Sequence, residues 1–174
     1  MKILLIILAV IAGIIAIVMI AGAALPKNHS VSRAATFKRD RRSVYEVVRN
    51  VSAAPQWREG VQKIEVLDDK HFREHSKTGV VTYEIVEDKP PQTFITRIAD
   101  KNLGYSGSWT HQFDETPEGT RLTITENGEV SNVLFRFMSR FVFGHTASID
   151  AYLKSLERKL TSNDRAVAER AISR

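Results

Sequence analysis

The side chains best suited to moving a proton in this 174-residue chain are five histidines, at 29, 71, 75, 111 and 145, and the carboxylates among 20 acidic residues. A histidine and a glutamate can divide the removal of a proton beside a carbonyl and the protonation of a departing oxygen. Three positions are candidates for that work: His111 and Glu126 on strand-patterned segments, and His145 beside Gly144 in a helical stretch. Other chemistries fall away. There is no cysteine, which removes a thiolate nucleophile, a disulfide framework and zinc-ribbon or iron-sulfur ligation. The histidines form no HExxH pair and meet no clustered carboxylates, so neither a metal nor a cofactor is expected.

The elements that would position these residues follow from periodicity. Val31 to Phe37 reads as a first strand, followed by Asp40 as an N-cap. Ser43-Val44-Tyr45-Glu46 matches an S-x-x-E capping box, and Val44, Val47, Val48 and Val51 follow the i, i+3, i+4, i+7 spacing of an amphipathic helix. Ala54-Pro55-Gln56-Trp57 suits a short turn or second helix. Six segments then carry strand-forming residues: 61–67, 71–76, 80–87, 93–99, 105–115 and 120–129. The breaks between them, among them Lys89-Pro90-Pro91 and Pro117-Glu118-Gly119, have turn chemistry and are too short for crossover helices, so the strands are antiparallel. From Asn132 to about Leu160 a long helix is expected, single or kinked at Gly144. Its second half puts Ile149, Tyr152, Leu153, Leu156 and Leu160 on one stripe. Its first half, with Val133, Leu134, Phe135, Phe137, Met138, Phe141, Val142 and Phe143, is apolar on several sides and needs more than one cover: a curved sheet, and then a ligand, a lid or a bilayer surface. Residues 161–174 read as a helical extension or disordered tail.

This order of elements resembles the helix-grip fold of the SRPBCC (START-like) superfamily, closest to its polyketide cyclase/dehydratase-like branch. The residues that carry the likeness are Val44-Tyr45-Glu46-Val47-Val48, Pro55-Gln56-Trp57, Val61-Gln62-Lys63-Ile64-Glu65-Val66, Tyr83-Glu84-Ile85-Val86-Glu87 before Pro90-Pro91, Gly107-Ser108-Trp109-Thr110, and Gly119-Thr120-Arg121-Leu122-Thr123-Ile124-Thr125-Glu126. The resemblance spans 31–160 and implies an α+β fold: a curved antiparallel sheet of about seven strands around a long C-terminal helix. It also implies an apolar cavity between sheet and helix. Strand parity then directs Tyr83 and Ile85, Phe94, Thr96 and Ile98, Trp109, His111 and Phe113, and Leu122, Ile124 and Glu126 inward. Phe141, His145, Ile149 and Tyr152 face them from the helix at i, i+4, i+8 and i+11. The expected ligand-binding set is Tyr83, Phe94, Trp109, His111, Phe113, Ile124, Phe141, His145 and Tyr152. Glu84 and Arg97 fall on the other parity as an exposed ion pair.

Ahead of this domain, Ile3 to Leu25 is an uncharged run of 23 residues. As a helix it reaches roughly 35 Å, enough for a hydrocarbon core of about 30 Å. It reads as a single-pass anchor over 1–26, with a cleaved signal ending near Ala21-Gly22-Ala23 as the alternative. Lys27 to Arg42, a basic juxtamembrane segment that includes the first strand, holds six basic residues against Asp40, whereas 43–174 carries 18 basic and 19 acidic residues. The excess charge therefore belongs to the juxtamembrane segment. That pattern suits anionic headgroups and a cytoplasmic domain, and leaves nucleic acid without a basic face to meet. The leading expectation is a membrane-anchored carrier or binder of a lipid or other hydrophobic small molecule. A cyclase or dehydratase using His111 and Glu126 is the alternative, and a filled-core interaction module is the third. A continuous pocket of roughly 300 Å3 or more favours the first two.

Overall fold

The structure, a computed structural model, describes residues 2–138, 140–141 and 146–172. Along the chain come helix α1 (Lys2–Ala24), β1 (Asn28–Phe37), α2 (Arg41–Arg49) and a 3-10 turn (Val51–Gln56). The strands β2 (Val61–Val66), β3 (His71–Ser76), β4 (Gly79–Lys89), β5 (Thr93–Ile98), β6 (Tyr105–Thr116) and β7 (Gly119–Val130) follow, then α3 (Val133–Met138) and α4 (Ala147–Ile172). All seven strands join one antiparallel sheet in the order β1-β7-β6-β5-β4-β3-β2. Each hairpin neighbour in sequence is a neighbour in the sheet. Only β1 travels, pairing with β7 from Asn28↔Glu129 to Phe37↔Thr120. This is the helix-grip architecture, with the curved sheet wrapped around α4.

The grip is made by apolar periodicity on both partners. α4 buries Ile149, Leu153, Leu156 and Leu160, the stripe its spacing predicts, against Phe72, Ile85, Phe94, Phe113, Leu122 and Ile124 of the sheet. α2 closes one end with Val44, Tyr45 and Val48. Its start is set by Asp40, whose carboxylate accepts the Ser43 amide at 2.9 Å and the Ser43 hydroxyl at 2.6 Å. The helix therefore begins at Arg41, and Ser43 is its third residue. It donates to a cap and does not serve as one, which corrects the Ser43/Glu46 box. Gly119 turns β6 into β7 at φ +131°, and a Cβ there would collide with Phe37 O. The outward pair Arg97–Glu84 forms at 2.6 Å.

In the stretch from 132 to 160, expected as a long helix that is single or kinked at Gly144, the described residues include two α-helices, α3 and α4. Asn132 Oδ1 accepts the Phe135 amide at 2.9 Å and starts α3 as a separate helix, which packs on α1 more than on the sheet. Gly144 and His145 fall outside the described residues. At the far end α4 continues to Ile172, so the tail takes the helical alternative.

Candidate functional site

Strand pairing gathers the inward side chains into one wall. Phe72 faces Tyr83 across β3 and β4, Thr96 faces Trp109 across β5 and β6, and His111 faces Ile124 across β6 and β7. Opposite them, α4 supplies Ser148, Ile149 and Tyr152. Arg58, just past the 3-10 turn, and Glu74 of β3 complete the lining of a cavity of about 240 Å3. That falls short of the roughly 300 Å3 expected of a ligand pocket from the sequence, so the cavity takes only a compact apolar body or one end of a longer molecule. A larger hollow of about 490 Å3 runs over Asn28, Ser106, Asn127 and Glu129, but it is a shallow depression open to solvent.

Aromatic rings dominate the walls. Tyr83 stacks on Phe72 at 5.3 Å and meets Trp109 edge-on at 5.8 Å, while Tyr152 contacts Trp57 at 5.3 Å and His111 at 5.5 Å. Burial raises the pKa of Tyr83 and Tyr152, so both keep their hydroxyl protons at neutral pH. The polar corner is an ion pair: Arg58 Nη1 donates to Glu74 Oε2 at 2.8 Å, and the guanidinium lies 5.1 Å from the centre of the Tyr152 ring. Glu74 is 9% exposed, so its charge is held by this partner. Arg58 retains 29% side-chain exposure and marks, with exposed Ser148, where the cavity meets solvent.

His111 is 6% exposed, with Nδ1 3.2 Å from Phe94 O. A carbonyl only accepts, so Nδ1 carries the proton and Nε2 is the acceptor. Burial pushes the imidazole pKa down to about 4, which makes it neutral and only weakly basic at pH 7. Glu126, on the same face of β7 as Ile124, bonds two of the lining residues. Its carboxylate accepts Trp109 Nε1 at 3.0 Å and Ser148 Oγ at 3.2 Å, and meets His29 Nε2 at 3.5 Å. It fixes the Trp109 ring and ties β7 to the start of α4. His111 hydrogen-bonds Phe94 O and not Glu126, whose partners are Trp109, Ser148 and His29.

Of the residues expected to face a ligand, Tyr83, Trp109, His111, Ile124 and Tyr152 line the cavity together. Phe94 is buried beneath it, between His111 and the Arg49 guanidinium. Phe113 packs against Tyr45 of α2 at 5.4 Å, where it belongs to the core. Phe141 is 61% exposed and touches Phe137, outside the cavity lining. His145 lies outside the described residues. The lining residues that parity and spacing did not supply are Arg58, Phe72, Glu74 and Ser148. Glu74 has the same strand parity as Phe72, which was a usable signal; Arg58 sits on no strand or regular helix, so no period could place it.

A family model described as polyketide cyclase / dehydrase and lipid transport matches residues 28–161. The chain belongs to that family. The matched span coincides with the sheet and the gripping part of α4, which makes α1 an addition to the family domain. No curated protein matches the chain. Among solved structures, a START superfamily protein from Mycobacterium smegmatis is similar at TM-score 0.63 and 14% identity, covering 77% of this chain and 98% of that one. A Thalictrum norcoclaurine synthase in complex with a transition-state analogue is similar at TM-score 0.64 and 8% identity, covering 79% and 96%. A major latex-like protein from Panax ginseng is similar at TM-score 0.63 and 14% identity, covering 79% and 98%. At such identities these likenesses establish the fold alone.

Proposed function

We propose that this member of the family is a membrane-tethered binder of a lipid or other hydrophobic small molecule. In this reading α1 spans the bilayer, 27–42 lies at its surface and 31–160 is the ligand-binding domain. The observation that carries it is the cavity: Tyr83, Trp109, Ile124, Ile149 and Tyr152 offer an apolar body site, and Arg58 with Glu74 offers one polar corner for a hydroxyl, carbonyl or carboxylate. The tether is supported by the chemistry of α1, which exposes Ile3, Leu4, Leu5, Ile17 and Ile20 at 60–75% and carries no charge after Lys2. A binder held at the bilayer samples an apolar ligand at high effective concentration without strong affinity. The basic segment from Lys27 to Arg42 supports a cytoplasmic domain.

The acid-base alternative has less support. A base poised near neutrality is needed for proton abstraction, and burial holds His111 far below that. The test is photo-crosslinking of the full-length protein in lipid vesicles with a diazirine fatty acid, followed by peptide mapping. Labelled peptides containing Tyr83, Trp109 or Tyr152, lost in a folded Trp109→Ala variant but kept in Glu126→Gln, support the cavity as the binding site. Labelling confined to 2–24 would overturn it.

A further inference from the structure

The base of α1 and helix α3 are joined backbone to backbone. A Cβ at Gly22 would collide with Val133 O and stand 3.0 Å from Val133 Cγ1. Arg136, 8% exposed, locks the joint by donating from Nη1 to Leu25 O at 2.9 Å. Gly22 lies in the last turn of α1, which ends at Ala24, so α3 stands at the level where a spanning α1 would leave the hydrocarbon. At that level the protein leaves large apolar surface uncovered: Leu134 is 51%, Phe135 44% and Phe141 61% exposed. Beside this surface, a groove of about 360 Å3 is lined by Lys27, His29, Arg136 and Arg140 together with Leu25 and Pro26. Lys27 and Arg140 are exposed in it.

We infer that α3 is a second membrane contact: Leu134, Phe135 and Phe141 enter the interfacial zone of the leaflet that α1 leaves, and Lys27 and Arg140 meet the phosphate of an anionic phospholipid. The inference rests on α1 spanning the bilayer. Apolar side chains at this depth replace water contact with acyl-chain contact, and cations beside them match the headgroup charge. Two contacts rather than one then set the domain's tilt, so it does not swing freely on its tether.

The chain has no cysteine, so one introduced thiol gives one label. Full-length Phe135→Cys carrying an environment-sensitive nitrobenzoxadiazole label is placed in phosphatidylcholine vesicles, with and without phosphatidylglycerol. Ile11→Cys reports the anchor, Val86→Cys on β4 reports the distal sheet, and Leu134→Cys repeats the measurement should Phe135→Cys misfold. We expect lipid-borne spin labels to quench positions 11 and 135 but not 86, with stronger quenching at 135 when phosphatidylglycerol is present. Quenching at 11 without quenching at 135 or 134 overturns the inference and leaves the tether intact. An unquenched label at 11 overturns the tether itself. In a Lys27→Gln, Arg140→Gln background the phosphatidylglycerol effect at 135 should vanish; its persistence overturns the phosphate contact.

Discussion

His111 and Glu74 are the buried polar groups on which the cavity's character depends, and each has a measurable signature. The folded pKa of His111, about 4, lies below the unfolded value near 6.5, so the unfolded chain takes up its proton first as the pH falls. The stability that neutral His111 contributes is complete above about pH 6.5 and is lost as the pH falls toward 4, at no more than about 1.4 kcal/mol per pH unit. The unfolding free energy of the wild type should therefore drop by about 3 kcal/mol more than that of His111→Gln between pH 7 and pH 4. Parallel profiles would show that His111 titrates as an exposed histidine. Glu74→Ala leaves the Arg58 charge facing an apolar cavity, and should cost about 1–3 kcal/mol, below the fully buried range because Arg58 is 29% exposed. Arg58→Met combined with Glu74→Leu should recover part of that loss in denaturant unfolding; an equal or larger loss in the double variant would mean that the pair does more than neutralise itself. Strand parity brought Tyr83, Trp109, His111 and Ile124 to the cavity from the sequence, and helical spacing brought Tyr152. Parity failed for Phe113, whose inward direction is right but whose position along β6 lies under α2. Parity gives the face of a sheet and not the place along it.

At the scale of elements, strand boundaries were legible because Gly and Pro punctuate them and the strands alternate cleanly; β3 and the start of β6 fall where the pattern put them. The C-terminal helix was half legible. Its amphipathic half follows from spacing, and Leu156, fully buried in α4, should cost about 2–5 kcal/mol when truncated to Ala. Leu134→Ala on exposed α3 should change stability by less than about 0.5 kcal/mol in detergent solution. Similar losses at both positions in thermal unfolding would mean that α3 is part of the core. The packing of α3 was not legible, because a segment apolar on several sides has no single stripe from which to tell what it packs on. Its partner is α1, more than a hundred residues earlier, and the Gly22–Val133 approach is invisible to any local period. Asp40, the N-cap expected from the sequence, caps α2, and Ser43 donates to it instead of opening a box with Glu46.

For the whole molecule, the uncharged N-terminal run and the charge imbalance were plain in the sequence, and the family domain follows them with its cavity between sheet and α4. Together they support the proposal that a tethered domain holds an apolar molecule inside. Native mass spectrometry of the full-length protein, extracted in mild detergent from the membrane in which it is made, tests it most directly. The wild type should retain a stoichiometric small-molecule adduct. Thr96→Met, which fills the cavity, and Ser148→Trp, which blocks its mouth, should lose the adduct while unfolding at the wild-type temperature; lipid clinging to α1 contributes equally to all three. A wild type that flies without an adduct, or an adduct kept equally by both folded variants, would contradict the claim.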